Sequence, residues 1–300
     1  MNSSDGDRLY RFLFEDFPIR GQWVRLEATW EEAQSRRTDP APVRRADYLI
    51  VESTYGDRTH ESVSPQDALA EVITRTARRG GVVLIPAFAV GRAQTLLYHL
   101  EQLKRAKRIP DLPIYLDSPM AVDASEVFCG HFKEHRLNAA QCRSLCGVAH
   151  YVRDAEESKS LDRDRMPKVI LAASGMATGG RVLHHLKVFA PDPRNTILFA
   201  GYQAAGTRGA ALVAGAESVK IHGGYVPINA EVKNLHMLSA HADRTEILNW
   251  LGNFEKPPRM TFITHGEPVA SDALRLAIEE QYKWTTRVPE HLERASLKEL

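Results

Sequence analysis

From residue 46 onward the chain alternates between two textures. Short apolar runs, YLIV (48–51), GVVLIPAF (81–88), PIYLDS (113–118), KVILAAS (168–174), NTILFAG (195–201), SVKIHG (218–223) and MTFITHG (260–266), read as strands. Between several of them lie stretches of helical period, among them GRAQTLLYHLEQLKRAK, RVLHHLKVFA and RTEILNWLGNF. The helix ahead of GVVLIPAF is announced by its cap: Ser64, then Pro65 at the first helical position and Asp67 in the first turn. Strands buried along their whole length and followed by helices predict an α/β layered fold with much of its sheet parallel. Residues 137–167 are polar with few apolar positions and read as a mobile excursion or small lobe.

The first 45 residues have another pattern. RLYRFLFEDFPIRGQWVRLEATWEEA alternates apolar and polar positions around Ile19-Arg20-Gly21, which suggests a strand pair or a strand and a helix. RRTDPAPVRR then forms a proline-bearing connector, and a boundary is placed near Arg45.

Composition narrows the function classes. Basic and acidic residues nearly balance, 39 against 38, so a nucleic-acid role needs a local cationic cleft rather than a basic surface. No apolar run approaches the roughly 18 residues of a membrane span, so no membrane partner is expected. Cys129, Cys142 and Cys146 form no disulfide framework and no zinc knuckle; idle thiols in a reducing cytoplasm are the plain expectation.

Polar clusters stand at the strand ends: Glu52-Ser53-Thr54, Asp117-Ser118, Ser174-Gly175-Met176, His241-Ala242-Asp243 and Thr264-His265-Gly266. Successive ends of a parallel sheet fall along one edge, so these groups could converge there. ASGMATGGRVLHHL carries a strand, a glycine-rich turn and a helix with Arg181 near its start, a pattern suited either to an anion or to tight packing. It is neither the dinucleotide fingerprint nor the P-loop lysine motif.

Taken in order, VESTYGDRTH, LIPAFAVGRAQTLLY, YLDSPMA, LAASGMATGGRVLHHL, GYQAAGTRGAAL, SAHAD and THGEP resemble the β-CASP branch of the metallo-β-lactamase superfamily, which contains zinc-dependent RNA-processing nucleases. The resemblance covers about residues 46–300. It implies an α/β fold of incomplete metallo-β-lactamase αββα layers with an inserted α/β β-CASP domain. It also implies zinc as cofactor, single-stranded RNA as partner and phosphodiester hydrolysis as activity. Glu52 would hydrogen-bond His241 and keep it protonated for donation to the leaving oxygen. His265 would be a metal ligand, and Ser174, Gly175 and Arg181 would position RNA phosphates. The family's H-x-H-x-D-H motif belongs upstream of the Glu52 strand, where this chain has no histidine. The alternative is therefore a non-catalytic RNA-binding or partner-binding member.

Residues 7–45 resemble the opening of the heat-shock protein 33 chaperone family, through RLYRFLFEDFPIRGQWVRLEATWEEA. The expected organisation is a chaperone-like fragment (1–45), a metallo-β-lactamase-type portion (46–63 and 191–300) and the β-CASP domain (64–190). An incomplete sheet would expose an edge, through which the chain could self-associate or form a homodimer.

Overall fold

A computed structural model describes the backbone of residues 23–26 and, with side chains, residues 41–134, 137–239 and 241–297. The chain divides into two compact units. Among the described residues, the first comprises residues 23–26, 41–58 and 243–297, and the second comprises residues 59–134, 137–239 and 241–242.

The first unit is built on a four-stranded parallel sheet in the order β1-β2-β11-β12. Its strands are β1 (Trp23–Leu26), β2 (Tyr48–Glu52), β11 (Met260–Thr264) and β12 (Thr286–Arg287). The apolar run ending at Glu52 is the second strand, buried at Tyr48, Leu49 and Val51. Strand β1 pairs with β2 residue for residue, Trp23 opposite Tyr48 through Leu26 opposite Val51, and so occupies the β2 edge expected to be bare. Helix α8 (Arg244–Leu251) starts at a reciprocal cap, in which Asp243 accepts from the Glu246 amide and the Glu246 carboxylate accepts from the Asp243 amide. Helix α9 (Pro268–Tyr282) follows β11 directly.

The second unit carries a six-stranded parallel sheet in the order β10-β7-β3-β6-β4-β5. Its strands are β3 (Val83–Pro86), β4 (Ile114–Asp117), β5 (His150–Val152), β6 (Val169–Ala172), β7 (Thr196–Phe199) and β10 (Glu231–Asn234). Its helices are α1 (Pro65–Arg78), α2 (Arg92–Arg105), α3 (Pro119–Gly130), α4 (Ala139–Cys146), α5 (Ala155–Arg163), α6 (Val182–Phe189) and α7 (Arg208–Val213). A hairpin of β8 (Ser218–Ile221) and β9 (Gly224–Pro227) completes it. The predicted cap of α1 forms as expected, with the Ser64 hydroxyl accepting from the Asp67 amide and Pro65 leading the helix.

Alternation along the central strands sorts the core into two layers. Val83, Ile85, Val169 and Leu171 face a layer with α1, α2, α3 and α4. Leu84, Ile170, Ala172, Ile197 and Phe199 face the other, with α5, α6 and α7. Because both faces are covered, the strands read as unbroken apolar runs, the signature of a buried parallel sheet.

Two expectations are corrected. Residues 137–167 form no excursion: they supply α4, the edge strand β5 and α5. Their few apolar residues are the ones that count, since Leu137, Cys142, Leu145, Val152 and Leu161 are all buried. The cysteines are not all idle thiols either. Cys129 and Cys146 are bonded to each other, and buried Cys142 alone remains free. Their pairing was illegible because α3 and α4, 17 residues apart along the chain at these positions, meet only in the folded layer. Strands β7 and β10 extend the same sheet as β3, so the second compact unit runs on past residue 190 to Ala242.

Candidate nucleic-acid interface and carboxylate–histidine site

Topology points to one place in the second unit. Strands β3 and β6 are neighbours, paired from Val83 opposite Val169 to Pro86 opposite Ala172. The helix leaving β3, α2, packs on one face of the sheet, and the helix leaving β6, α6, packs on the other. Where adjacent parallel strands send their connections to opposite faces, a crevice opens beyond their carboxyl ends, and ligands of open α/β sheets bind there. The loops bounding this crevice are residues 87–91 and 173–181.

The second loop is the predicted glycine-rich turn. Ser174 organises it: its hydroxyl accepts from the amides of Thr178 (3.1 Å) and Gly179 (3.2 Å), and its own amide donates to the Gly179 carbonyl (3.1 Å). Gly180 has φ +76°, and a Cβ there would lie 2.4 Å from the Ala173 carbonyl oxygen, so glycine is required. Gly175 lies beneath the Phe88 ring, and its carbonyl accepts from the Gln203 side-chain amide at 3.1 Å. Ser174 and Gly175 thus stand at the crevice.

Arg181 is turned differently from the expectation of a phosphate contact. Its guanidinium is ion-paired with Asp117 and donates to the carbonyls of Val152 (3.1 Å) and Arg153 (2.7 Å). It joins the ends of β4 and β5 instead of projecting from the turn.

Behind Arg181 lies a buried network that the sequence reading missed in part. His185, fully buried, has Nε2 2.7 Å from Asp117 Oδ2 and Nδ1 2.6 Å from Asp162 Oδ1. Ionised carboxylates only accept, so the arrangement satisfies both ring nitrogens when the imidazole is protonated and donates twice. Ser158 donates a further bond to Asp117. Burial pushes the His185 pKa down, but the hydrogen bonds and charges of Asp117 and Asp162 outweigh it, and the net direction is upward. Burial likewise pushes the Asp117 carboxyl up, yet the bonds from His185, Ser158 and Arg181 hold it below the ordinary carboxylate range. With His185 protonated, two cations face two carboxylates and the cluster is neutral as a whole. A signal for it existed: Val182, His185, Leu186 and Phe189 share the buried stripe of α6, and a polar residue on such a stripe must find partners.

In the first unit, the ends of β2 and β11 bring together a second set. Glu52 is opposite Thr264 in the register, so His265 follows beside it. Thr54 links them: its hydroxyl donates to Glu52 Oε2 at 2.7 Å and stands 3.1 Å from His265 Nδ1. The same hydroxyl is also 3.1 Å from the His265 carbonyl oxygen, so Thr54 ties both the side chain and the backbone of His265 to Glu52. His265 Nδ1 is 3.9 Å from Glu52 Oε2, and the imidazole is 62% exposed while Glu52 is buried. Position is enforced by crowding at the next residue, because a Cβ on Gly266 would come within 2.3 Å of the Ser53 hydroxyl.

These residues do not by themselves make a catalytic zinc centre. A catalytic zinc takes about three protein ligands. Within the first unit this pair offers one imidazole and one carboxylate, fewer than that number. His241 falls near the end of the second unit. Its amide donates to the Ser239 hydroxyl (3.2 Å), and its carbonyl lies 3.0 Å from His60 Nε2.

The geometry so far defines an α/β protein with a crevice on a doubly wound sheet and a carboxylate–histidine pair on a separate one. Comparison with known proteins is more specific. Residues 93–212 match the Beta-Casp domain, and residues 225–289 match the Zn-dependent metallo-hydrolase RNA specificity domain. These matches place the chain in the β-CASP branch of the metallo-β-lactamase superfamily, with the α/β fold of that branch. Among similar proteins are a ribonuclease of Thermus thermophilus, 41% identical over 76% of this chain and 53% of its own length, and the transcription termination factor FttA of Pyrococcus abyssi, 34% identical over 88% of this chain and 43% of its own. FttA of Methanocaldococcus jannaschii is also 34% identical, over 88% of this chain and 44% of its own length. The chain thus spans about half the length of the curated relatives it matches.

Neither domain match reaches residues 7–45, the stretch likened to the heat-shock protein 33 family. Apart from β1 and residues 41–45, that stretch lies outside the described residues. Among the described residues, no helix is long and apolar enough to cross a membrane.

Proposed function

We propose that this chain is the RNA-recognition portion of a β-CASP phosphodiester hydrolase and, by itself, binds single-stranded RNA without cutting it. The observation that carries the reading is the crevice beyond β3 and β6, one wall of which, the Ser174–Gly180 turn, lies inside the stretch that matches the Beta-Casp domain. The adjoining match to an RNA specificity domain and the ribonuclease among the relatives supply the substrate class.

Glu52, His241 and His265 are proposed as the hydrolytic set of the complete site. Support for joining His241 to the other two is covalent. Asp243 bridges Tyr55, three residues beyond Glu52. Two residues of chain reach at most about 7 Å, so His241 is tethered close to that bridge. Glu52 would orient His241 as the donor of a proton to the leaving oxygen, a role worth roughly 10²–10⁴-fold in such reactions. Zinc is the family's metal by name. Because Glu52 and His265 do not complete a catalytic site for it, cleavage requires donors beyond those two. The cytoplasm is the proposed compartment, and there the Cys129–Cys146 bond would be open to reduction.

Fluorescence anisotropy of a labelled single-stranded oligoribonucleotide tests the binding reading. Saturable binding that weakens with salt is expected, with log affinity falling at about 0.7 per phosphate neutralised. No saturable binding at low salt would reject it.

A further inference from the structure

Two exposed histidines from separate stretches of the second unit meet at its surface. His184 stands on the exposed side of α6, one position before buried His185, and His222 is at the tip of the β8–β9 hairpin. Their ring centroids are 4.8 Å apart, with the ring planes inclined at 46°. Among the described residues, neither imidazole has a hydrogen bond or an ion pair that would account for this approach.

The hairpin tip adds a second observation. Ile221 pairs with Gly224, so His222 and Gly223 alone make the turn, with φ +49° and +85°. Two positive φ values in a two-residue loop are those of a type I′ turn, for which Asn-Gly is a preferred pair. Histidine tolerates the left-handed region better than most residues, yet the turn itself gives no reason to choose it over asparagine. What histidine adds is a ring delivered to His184. Below the tip, Val219, Ile221 and Val226 are buried in the same layer as Val182, Leu183 and Leu186 of α6. Packing therefore fixes the two backbones, and with them the distance that the rings span.

That distance suits two neutral imidazoles on one metal ion. With metal–nitrogen bonds of about 2.0–2.1 Å, each ring centroid stands about 3.2 Å from the ion. The centroids are then about 4.5 Å apart at a right angle and about 5.2 Å apart at the tetrahedral angle. The observed 4.8 Å lies between the two. A pair of imidazole donors disfavours magnesium and calcium, which take oxygen ligands, and favours the later first-row divalent ions. We propose that His184 and His222 form a surface site for a divalent transition-metal ion, which clips the hairpin tip to α6 while water completes the coordination. Two protein ligands hold an ion exchangeably, in contrast to a hydrolytic zinc centre, which takes about three. An ion bound only by the folded state stabilises that state by mass action.

The test follows thermal unfolding of the full chain, free of any histidine tag, with Ni²⁺ as the probe and Mg²⁺ as the control. Calorimetric titration with Ni²⁺ counts the ions bound. Wild type is compared with His184→Gln and His222→Asn. The second variant installs the preferred residue of the turn, so its loss of binding is not a loss of fold. At a Ni²⁺ concentration about 100-fold above Kd, the wild-type Tm is expected to rise by roughly 5–10 °C, and Mg²⁺ is expected to leave it unchanged. Each variant is expected to lose that rise and one bound ion, and His222→Asn to unfold without metal at or above the wild-type temperature. No Ni²⁺-dependent rise in wild type would overturn the proposal. A full rise that survives in either variant would overturn it as well, by assigning the ion to other donors.

Discussion

Replacing Asp117 with asparagine probes the buried network most sharply, because shape is nearly preserved and one negative charge is removed. Asp117 and His185 are both fully buried, and Asp117 also receives Arg181 and Ser158. Removing one member of a buried charge pair costs about 3–5 kcal/mol, since the remaining charges lose their compensation. Asparagine still accepts a hydrogen bond, so the lower end, about 3 kcal/mol, applies here. For a unit of this size each kcal/mol moves the midpoint by about 2–4 °C, so a fall in Tm of roughly 6–12 °C is expected near pH 6. The pH dependence follows from two opposite shifts. His185 has a raised folded-state pKa, so its contribution is complete below the ordinary histidine value of 6.5 and is lost as pH climbs through the raised one. Asp117 has a lowered one, so its contribution is present above the ordinary value of 3.8 and is lost as pH falls through the lowered one. The gap between wild type and Asp117→Asn should therefore be widest between about pH 4 and 6.5 and narrow on either side. Thermal unfolding by circular dichroism from pH 3 to pH 9 measures it. A gap under 1 °C, or one constant across that range, would refute the reasoning.

Gly180→Ala meets both a left-handed backbone and a carbonyl 2.4 Å from the new Cβ. It should destabilise the second unit by more than about 1 kcal/mol and weaken RNA binding, read by chemical denaturation and anisotropy. Reducing the Cys129–Cys146 bond releases a loop with a sequence separation of 17. On chain-entropy grounds a loop of that length is worth about 3 kcal/mol, so Tm should fall by roughly 6–12 °C in reductant, and by nothing further in a double Cys→Ser variant.

The sequence made the parallel sheet legible because both of its faces are covered. YLIV, GVVLIPAF, KVILAAS and NTILFAG have no polar alternation to confuse them with amphipathic helices, and each became a strand. The cap at Ser64-Pro65 and the turn at Ser174–Gly180 were equally plain, since local chemistry dictates both. Residues 137–167 misled because α4, β5 and α5 are short and mostly solvent-facing, so each needs few apolar positions to anchor it. The partners of Arg181 were illegible for another reason. A guanidinium after a glycine-rich turn can reach an anion or a neighbouring strand end, and the choice depends on Asp117, 64 positions away. Convergence of strand-end groups was anticipated in general terms, but the partner expected for Glu52 was His241, and Thr54, which links Glu52 to His265, was named without a role.

The central claim is that this chain recognises RNA but does not complete a hydrolytic metal centre. Zinc content per chain, measured on chelator-rinsed protein after dialysis against zinc, tests it most directly when paired with binding and cleavage of one labelled single-stranded RNA. The account predicts well below one tightly held zinc per chain, saturable RNA binding and no cleavage. About two zinc ions per chain with chelator-sensitive cleavage would contradict it.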